Sequence, residues 1–215
     1  MDPRTGLRER KKQQTREAIA AAAYDLFAEH GFDGVTVAAV AHRADVSEAT
    51  VFNYFPTKED LIFRRLEDFE AALLQAIRDR RPDRSVSEAF RAFLLRPGGL
   101  IAAKDPQAGE HLRTVTRIIT GSRALLARER QVYDESTRAL ARLVAEETGA
   151  RPDDVRPWVV ANALMGVHRA LVESVRTHVL AGESGPRLAR RIRVQAEQAV
   201  AVLDRGLAGY PHRKD

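Results

Sequence analysis

The stretch from Thr36 to Leu61, TVAAVAHRADVSEATVFNYFPTKEDL, constrains the fold more tightly than any other part of the chain. Thr36 is a good N-cap for a short helix with Val37, Val40 and Ala41 on one side. Ala44-Asp45-Val46 makes a turn, and Asp45 suits it because a short polar side chain bonds nearby backbone and tolerates left-handed geometry. Ser47 then caps a second helix, whose apolar side is read as Val51, Phe52 and Phe55. Pro56 cannot continue a helix interior, so this helix stops near Phe55 and Thr57 caps the next. Two helices of under three turns joined by a tight turn form the helix-turn-helix unit that reads the DNA major groove.

The same residues resemble a family. A Thr N-cap, the alanines Ala41 and Ala44, Val46-Ser47, an aromatic run through Phe55, then Lys58-Glu59 and Leu61 are similar to the TetR family of bacterial one-component repressors. Upstream, Thr15 to Ile19 and Leu26 to Phe32, with Gly31 as a stop, resemble that family's first helix. The resemblance spans roughly residues 8 to 65. Phe52 through Glu59 also resembles an actinobacterial subgroup that includes the mycofactocin-system regulator, some members of which answer to acyl-CoA-like ligands. The implied architecture is all-α. It has an N-terminal three-helix DNA-binding domain with a basic arm over residues 1–60, then a larger helical ligand-binding and dimerisation domain over residues 61–215.

Composition agrees with an all-helical, cytoplasmic protein. Alanine and arginine abound, which favours helix. There is no Cys among the 215 residues, which excludes disulfides and thiolate metal sites. The N-terminus carries no apolar signal-like segment, and no apolar run approaches the roughly 18 residues that span a membrane. The net charge of +5 is unevenly spread. Residues 1–60 hold eight Lys/Arg against ten Asp/Glu, so the local cluster matters more than the total. That cluster is Arg4, Arg8, Arg10, Lys11, Lys12 and Arg16, and such a basic arm can add phosphate contacts.

The rest of the chain reads as helices without strand signals. Thr15–His30 places Ile19, Ala22, Ala23, Leu26 and Phe27 on one face. A long helix from about Lys58 to Arg80 carries Leu61, Ile62, Leu66, Phe69, Leu73 and Ile77. Ser85 opens another, and Arg96-Pro97-Gly98-Gly99 through Gly109 is the least regular stretch. Further helices are expected over 107–120, 122–148 (closed by Gly149), 153–180 and 184–207, followed by a polar tail ending in Lys214-Asp215.

In a helix-turn-helix, the N-terminal residues of the second helix meet base edges while flanking groups hold phosphates. The groove-facing set is therefore Ser47, Glu48, Ala49, Thr50 and Asn53, with Asn53 able to bond adenine bidentately and Glu48 able to accept from cytosine. Resemblance to the family makes Thr36, Tyr54 and Lys58 the phosphate contacts, with Arg10, Lys11 and Lys12 in the basic arm. Where that family carries a phosphate-binding Tyr this chain has Phe52, without a hydroxyl, and Phe52 is read as core.

No catalytic constellation is present: no H-E-x-x-H, no phosphate-cradling Gly loop and no G-x-S-x-G elbow. Neither an enzyme, a cofactor nor a metal is expected. The C-terminal part is read instead as having two roles. Dimerisation would use the last two helices, with small residues (Ala161, Ala163, Gly166, Ala170, Ala196, Ala199) beside Val159, Val167, Ile192, Val200 and Leu203. A small-molecule effector, apolar or acyl-CoA-like, would meet Phe90, Phe93, Leu94, Ile118, Ile119, Leu125, Tyr133, Asn162, Met165 and His168. Arg113, Arg117 and Arg169 are candidates to anchor an anionic group on it. The expectation is a ligand-responsive homodimeric repressor on a palindromic operator. The competing reading is a helical protein-interaction module whose DNA domain no longer functions, which the acidic balance of residues 1–60 would suit.

Overall fold

The computed structural model describes residues 3–96 and 106–206, without the side chains of 3–9, 64–68, 70, 106 and 107. Pro97 to Gly99, the Leu66 side chain, those of Arg4 and Arg8, and residues 207–215 therefore lie outside the described residues. The described residues form nine helices: α1 (Pro3–His30), α2 (Val37–Arg43), α3 (Glu48–Tyr54), α4 (Asp60–Arg78), α5 (Val86–Leu94), α6 (Pro106–Gly121), α7 (Arg123–Thr148), α8 (Arg156–Leu180) and α9 (Gly185–Arg205). Most boundaries fall within a few residues of the sequence reading. The exception is α1, which continues back through the basic arm to Pro3.

The chain divides into two compact units. One comprises the residues up to Glu67 together with Thr114–Glu129, and the other comprises Asp68–Arg113 and the residues from Arg130 onward. The N-terminal unit is thus discontinuous in sequence. Ile19, Ala23, Phe27 and Phe32 from the α1 region, Val40 and Ala41 of α2, Val51 and Phe55 around α3, and Leu61 and Phe63 of α4 share one buried cluster. Ile118 of α6 and Leu125 of α7 are buried in that same cluster, with Ile119 packed against it.

Local signals place the short helices. Thr36 Oγ1 accepts from the Ala39 N–H at 3.1 Å and Ser47 Oγ from the Thr50 N–H at 3.1 Å, as N-caps do. Between α2 and α3, Asp45 adopts φ 53°, the one positive φ at a non-glycine among the described residues, while the Val46 N–H reaches the Ala41 carbonyl at 3.0 Å. Gly31, at φ 73°, ends α1 in the left-handed conformation that side chains resist. Two polar ties hold the distant segment in this unit. Ser122 Oγ donates to Asp33 at 3.0 Å, and the Arg128 guanidinium donates to Asp60 Oδ1 at 3.0 and 3.3 Å.

In the second unit α8 packs along α9, and α5 against α9. Its core takes Leu73 and Ile77 of α4, Phe90 and Phe93 of α5, Tyr133 and Leu140 of α7, Leu164, Met165 and Leu171 of α8, and Val200 of α9. A reciprocal capping box of Ser85 and Glu88 starts α5. Arg80 closes the far end of α4 with a two-pronged ion pair to Glu147 at 2.9 and 2.7 Å. Four residues read as dimer-forming, Ala161, Val167, Ala196 and Val200, are instead buried in this core, because their helical spacing turns them toward the neighbouring helices of their own protomer. No helix among the described residues is long and apolar enough to cross a membrane.

Candidate nucleic-acid interface

In its seven residues α3 has two sides of different character. Val51 and the following Phe55 are buried against α1 and α2, and Tyr54 packs half-buried at the edge of the same cluster. Glu48, Ala49, Phe52 and Asn53 are exposed together on one side, as residues at i, i+1, i+4 and i+5 of a helix can be, and Phe55 reaches the core from just past the helix end. Three of the five residues expected to face a groove, Glu48, Ala49 and Asn53, thus share the exposed face. The other two, Ser47 and Thr50, hold each other: their hydroxyl oxygens are 2.8 Å apart while Ser47 caps the helix.

Phe52 corrects the sequence reading. It is not core but 46% exposed, beside Asn53 and one turn beyond Glu48. The apolar run Val51-Phe52 could bury only one of its members, because adjacent helical residues point about 100° apart and the α1–α2 floor receives Val51 and Phe55.

Lys58, expected to hold a phosphate, is half-buried with its ammonium turned to the Phe32 backbone. Nζ donates to the Phe32 carbonyl at 2.6 Å, and sits over the Phe32 ring at 4.2 Å from its centroid. Desolvation lowers its pKa, partly offset by the Asp33 and Glu59 carboxylates. Thr57 and Asp60 cap the start of α4 reciprocally. Asp60 Oδ2 accepts from the Thr57 N–H at 2.9 Å and the Asp60 N–H reaches Thr57 Oγ1 at 3.3 Å. Thr36, by contrast, stands exposed at the start of α2. Arg10, Lys11 and Lys12 are exposed along α1, whereas Arg16 turns inward, half-buried with its guanidinium 5.8 Å from the Phe55 ring centroid.

Residues 19–64 match the family described as bacterial regulatory proteins, tetR family, and residues 84–203 match the MftR C-terminal domain. The HTH-type transcriptional regulator TcmR of Streptomyces glaucescens is 30% identical over 173 residues, covering 77% of this chain and 75% of that one. The chain belongs to the TetR family of bacterial transcriptional regulators. The mycofactocin biosynthesis transcriptional regulator MftR of Mycobacterium tuberculosis is 29% identical over 161 residues, 74% of this chain and 78% of that one. In fold, this TetR-family chain is similar to a TetR-family regulator from Syntrophomonas wolfei, with a TM-score of 0.59 at 18% identity over 93% of this chain and 100% of that one. It is thus a transcriptional regulator with an N-terminal helix-turn-helix domain, as its family and relatives are.

The residues expected around an effector do not all gather. Phe90, Phe93, Tyr133, Met165 and His168 are buried in the C-terminal unit, with Leu94 packed beside the cluster. Ile118, Ile119 and Leu125 are not there. They belong to the core of the N-terminal unit, because the second half of α6 and the first turns of α7 fold with the helix-turn-helix. Arg117 lies in that unit too. Asn162 is exposed on α8 and donates to the Trp158 carbonyl one turn back at 2.8 Å. Arg113 pairs with Glu110. Arg169 is exposed, its guanidinium 5.6 Å from the Tyr133 ring centroid. Sequence reasoning missed Phe69, whose ring stacks on His168 with centroids 4.6 Å apart and planes 13° from parallel. Its place on the apolar side of α4 was the available signal. His168 is 5% exposed, its Nδ1 has no hydrogen-bond partner among the described residues, and burial pushes its pKa down to about 4.

Proposed function

We propose that this regulator is a homodimeric, ligand-responsive repressor working in the cytoplasm, and that it has no catalytic activity of its own. The observation that carries the DNA half is the single exposed face of α3, on which Glu48, Ala49 and Asn53 stand together above a buried Val51 and Phe55. These residues would enter the major groove, Asn53 as the adenine reader, while Thr36 at the start of α2 and Arg10, Lys11 and Lys12 on α1 hold phosphates. Ser47 and Thr50 would border the contact, and Tyr54 would support it from the edge of the core. Two copies would place their α3 helices about 34–36 Å apart on a palindromic operator.

For the dimer, support comes from an apolar strip along α8. Val155 is 68%, Trp158 47% and Val159 62% exposed, and Gly166 and Ala170 continue the strip with small exposed residues. The effector would be a mostly apolar small molecule, acyl-CoA-like by resemblance to the relatives' subgroup. It would meet the aromatic cluster of Phe90, Phe93, Tyr133 and His168, where the unmatched Nδ1 offers one polar anchor and Arg169 a charge for an anionic end. Its preference for one of two conformations would set how far DNA is released.

The test is selection of genomic DNA fragments by the purified protein, read by sequencing. A palindrome with half-sites about one helical turn apart is the expected product. On that site Asn53→Ala relaxes base preference, whereas Lys11→Ala weakens all sequences alike and reduces the salt slope by about one. Failure to enrich any sequence at low and moderate salt would overturn the reading.

A further inference from the structure

The exposed Phe52 ring has no explanation within the protomer. It points about 100° away from the buried Val51 on α3, and it flanks Asn53 in sequence. A helical side chain leans toward the N-terminus and covers the turn before it. The residue three positions back is Ala49, itself exposed and small. Ala49 and Phe52 thus form an apolar spot within an otherwise polar face, bordered by Glu48 and Asn53. Apart from the ring carbons of the bases, the thymine 5-methyl is the apolar group on the major-groove edges, and alanine and phenylalanine are among the side chains that meet it.

We propose that Phe52, with Ala49, is a specificity-determining residue that packs on a thymine methyl in each half-site. This deepens the DNA-reading role assigned to α3 above and rests on it. The Phe52 ring has no hydroxyl to donate to a phosphate, so its contribution is concentrated at bases that carry a methyl group.

The experiment uses the full chain and the palindrome that it selects, synthesised with each thymine replaced in turn by deoxyuridine, which removes the methyl and nothing else. Wild-type protein should lose about fourfold in affinity at one symmetry-related thymine per half-site, the effect of one buried methyl group. Phe52→Ala should bind the unmodified palindrome more weakly and show no loss at that thymine. Restoring the methyl at that position as 5-methylcytosine in a C·G pair should recover part of the wild-type affinity lost on T→C, and none for the variant. Matching circular dichroism melting curves would establish that Phe52→Ala is folded, as a half-exposed position leads one to expect. Identical deoxyuridine profiles for wild type and variant would overturn the proposal while leaving the operator reading intact. Absence of any selected palindrome would overturn both.

Discussion

Lowering the pH should destabilise this protein through a single residue of the C-terminal core. His168 is 5% exposed, stacked on Phe69 at 4.6 Å and edge-on to Tyr133 at 5.5 Å, with no hydrogen-bond partner for Nδ1 among the described residues. Burial penalises the imidazolium and lowers the pKa from 6.5 to about 4. Above pH 6.5 the ring is neutral in folded and unfolded chains alike, and stability is unaffected. Below it the unfolded chain takes up a proton that the folded one refuses until about pH 4, so stability falls with pH across that window. Each unit is worth about 1.4 kcal/mol, so roughly 2 kcal/mol is lost by pH 5 and about 3 kcal/mol in all. Urea unfolding followed by helical circular dichroism at fixed protein concentration, at pH 7.5 and pH 5, would measure it in wild type and in His168→Phe. That variant keeps a flat ring against Phe69 but cannot titrate, and the other histidines cancel between the two chains. The wild type should lose about 2 kcal/mol more than the variant between the two pH values. Parallel losses would show that the ring is protonated in the folded state or that water reaches it, and the reasoning would be wrong.

Three further outcomes follow from the same kind of argument. Arg128→Ala removes the guanidinium that donates twice to the buried Asp60, and should cost about 2 kcal/mol in thermal unfolding; an unchanged melting temperature would mean that the pair contributes nothing. Lys58→Met removes the bond to the Phe32 carbonyl and the contact with its ring, so stability should fall by about 1 kcal/mol while the salt slope of operator binding stays the same. A flattened slope would return Lys58 to the phosphates. Val159→Glu places a charge in the exposed apolar strip of α8, and sedimentation should show monomers with greatly weakened operator binding; an intact dimer would move the interface elsewhere.

Much of the N-terminal unit is legible along the chain because its signals are short-ranged. Thr36 and Ser47 cap the helices that follow them, Asp45 takes the left-handed turn, and Pro56 stops α3, each through contacts within a few residues. The spacing of Ile19, Ala23 and Phe27 likewise identifies the buried side of α1. Of the residues expected to face a groove, Glu48, Ala49 and Asn53 fall on the exposed face of α3, while the core reading of Phe52 was wrong. Phe52 has the default role of an aromatic, core, yet stands half-exposed, while Lys58 is half-buried with its ammonium on the Phe32 carbonyl. Which side of a seven-residue helix is covered depends on the helices beneath it, and a lysine's direction depends on which carbonyl lies within reach.

What the sequence alone determined, then, is the helical architecture, the capped helix-turn-helix and the family, since each rests on residues that act on near neighbours or recur at fixed spacing. Tertiary structure decided membership and direction. Ile118 and Leu125 look like any apolar helical residues, and nothing local assigns them to the N-terminal core some fifty residues or more from the rest of it. The ties between Ser122 and Asp33, and between Arg128 and Asp60, join positions that the sequence keeps far apart. Hydrophobic burial is non-directional and indifferent to distance along the chain, so a periodic pattern shows that a face will be covered without showing what will cover it.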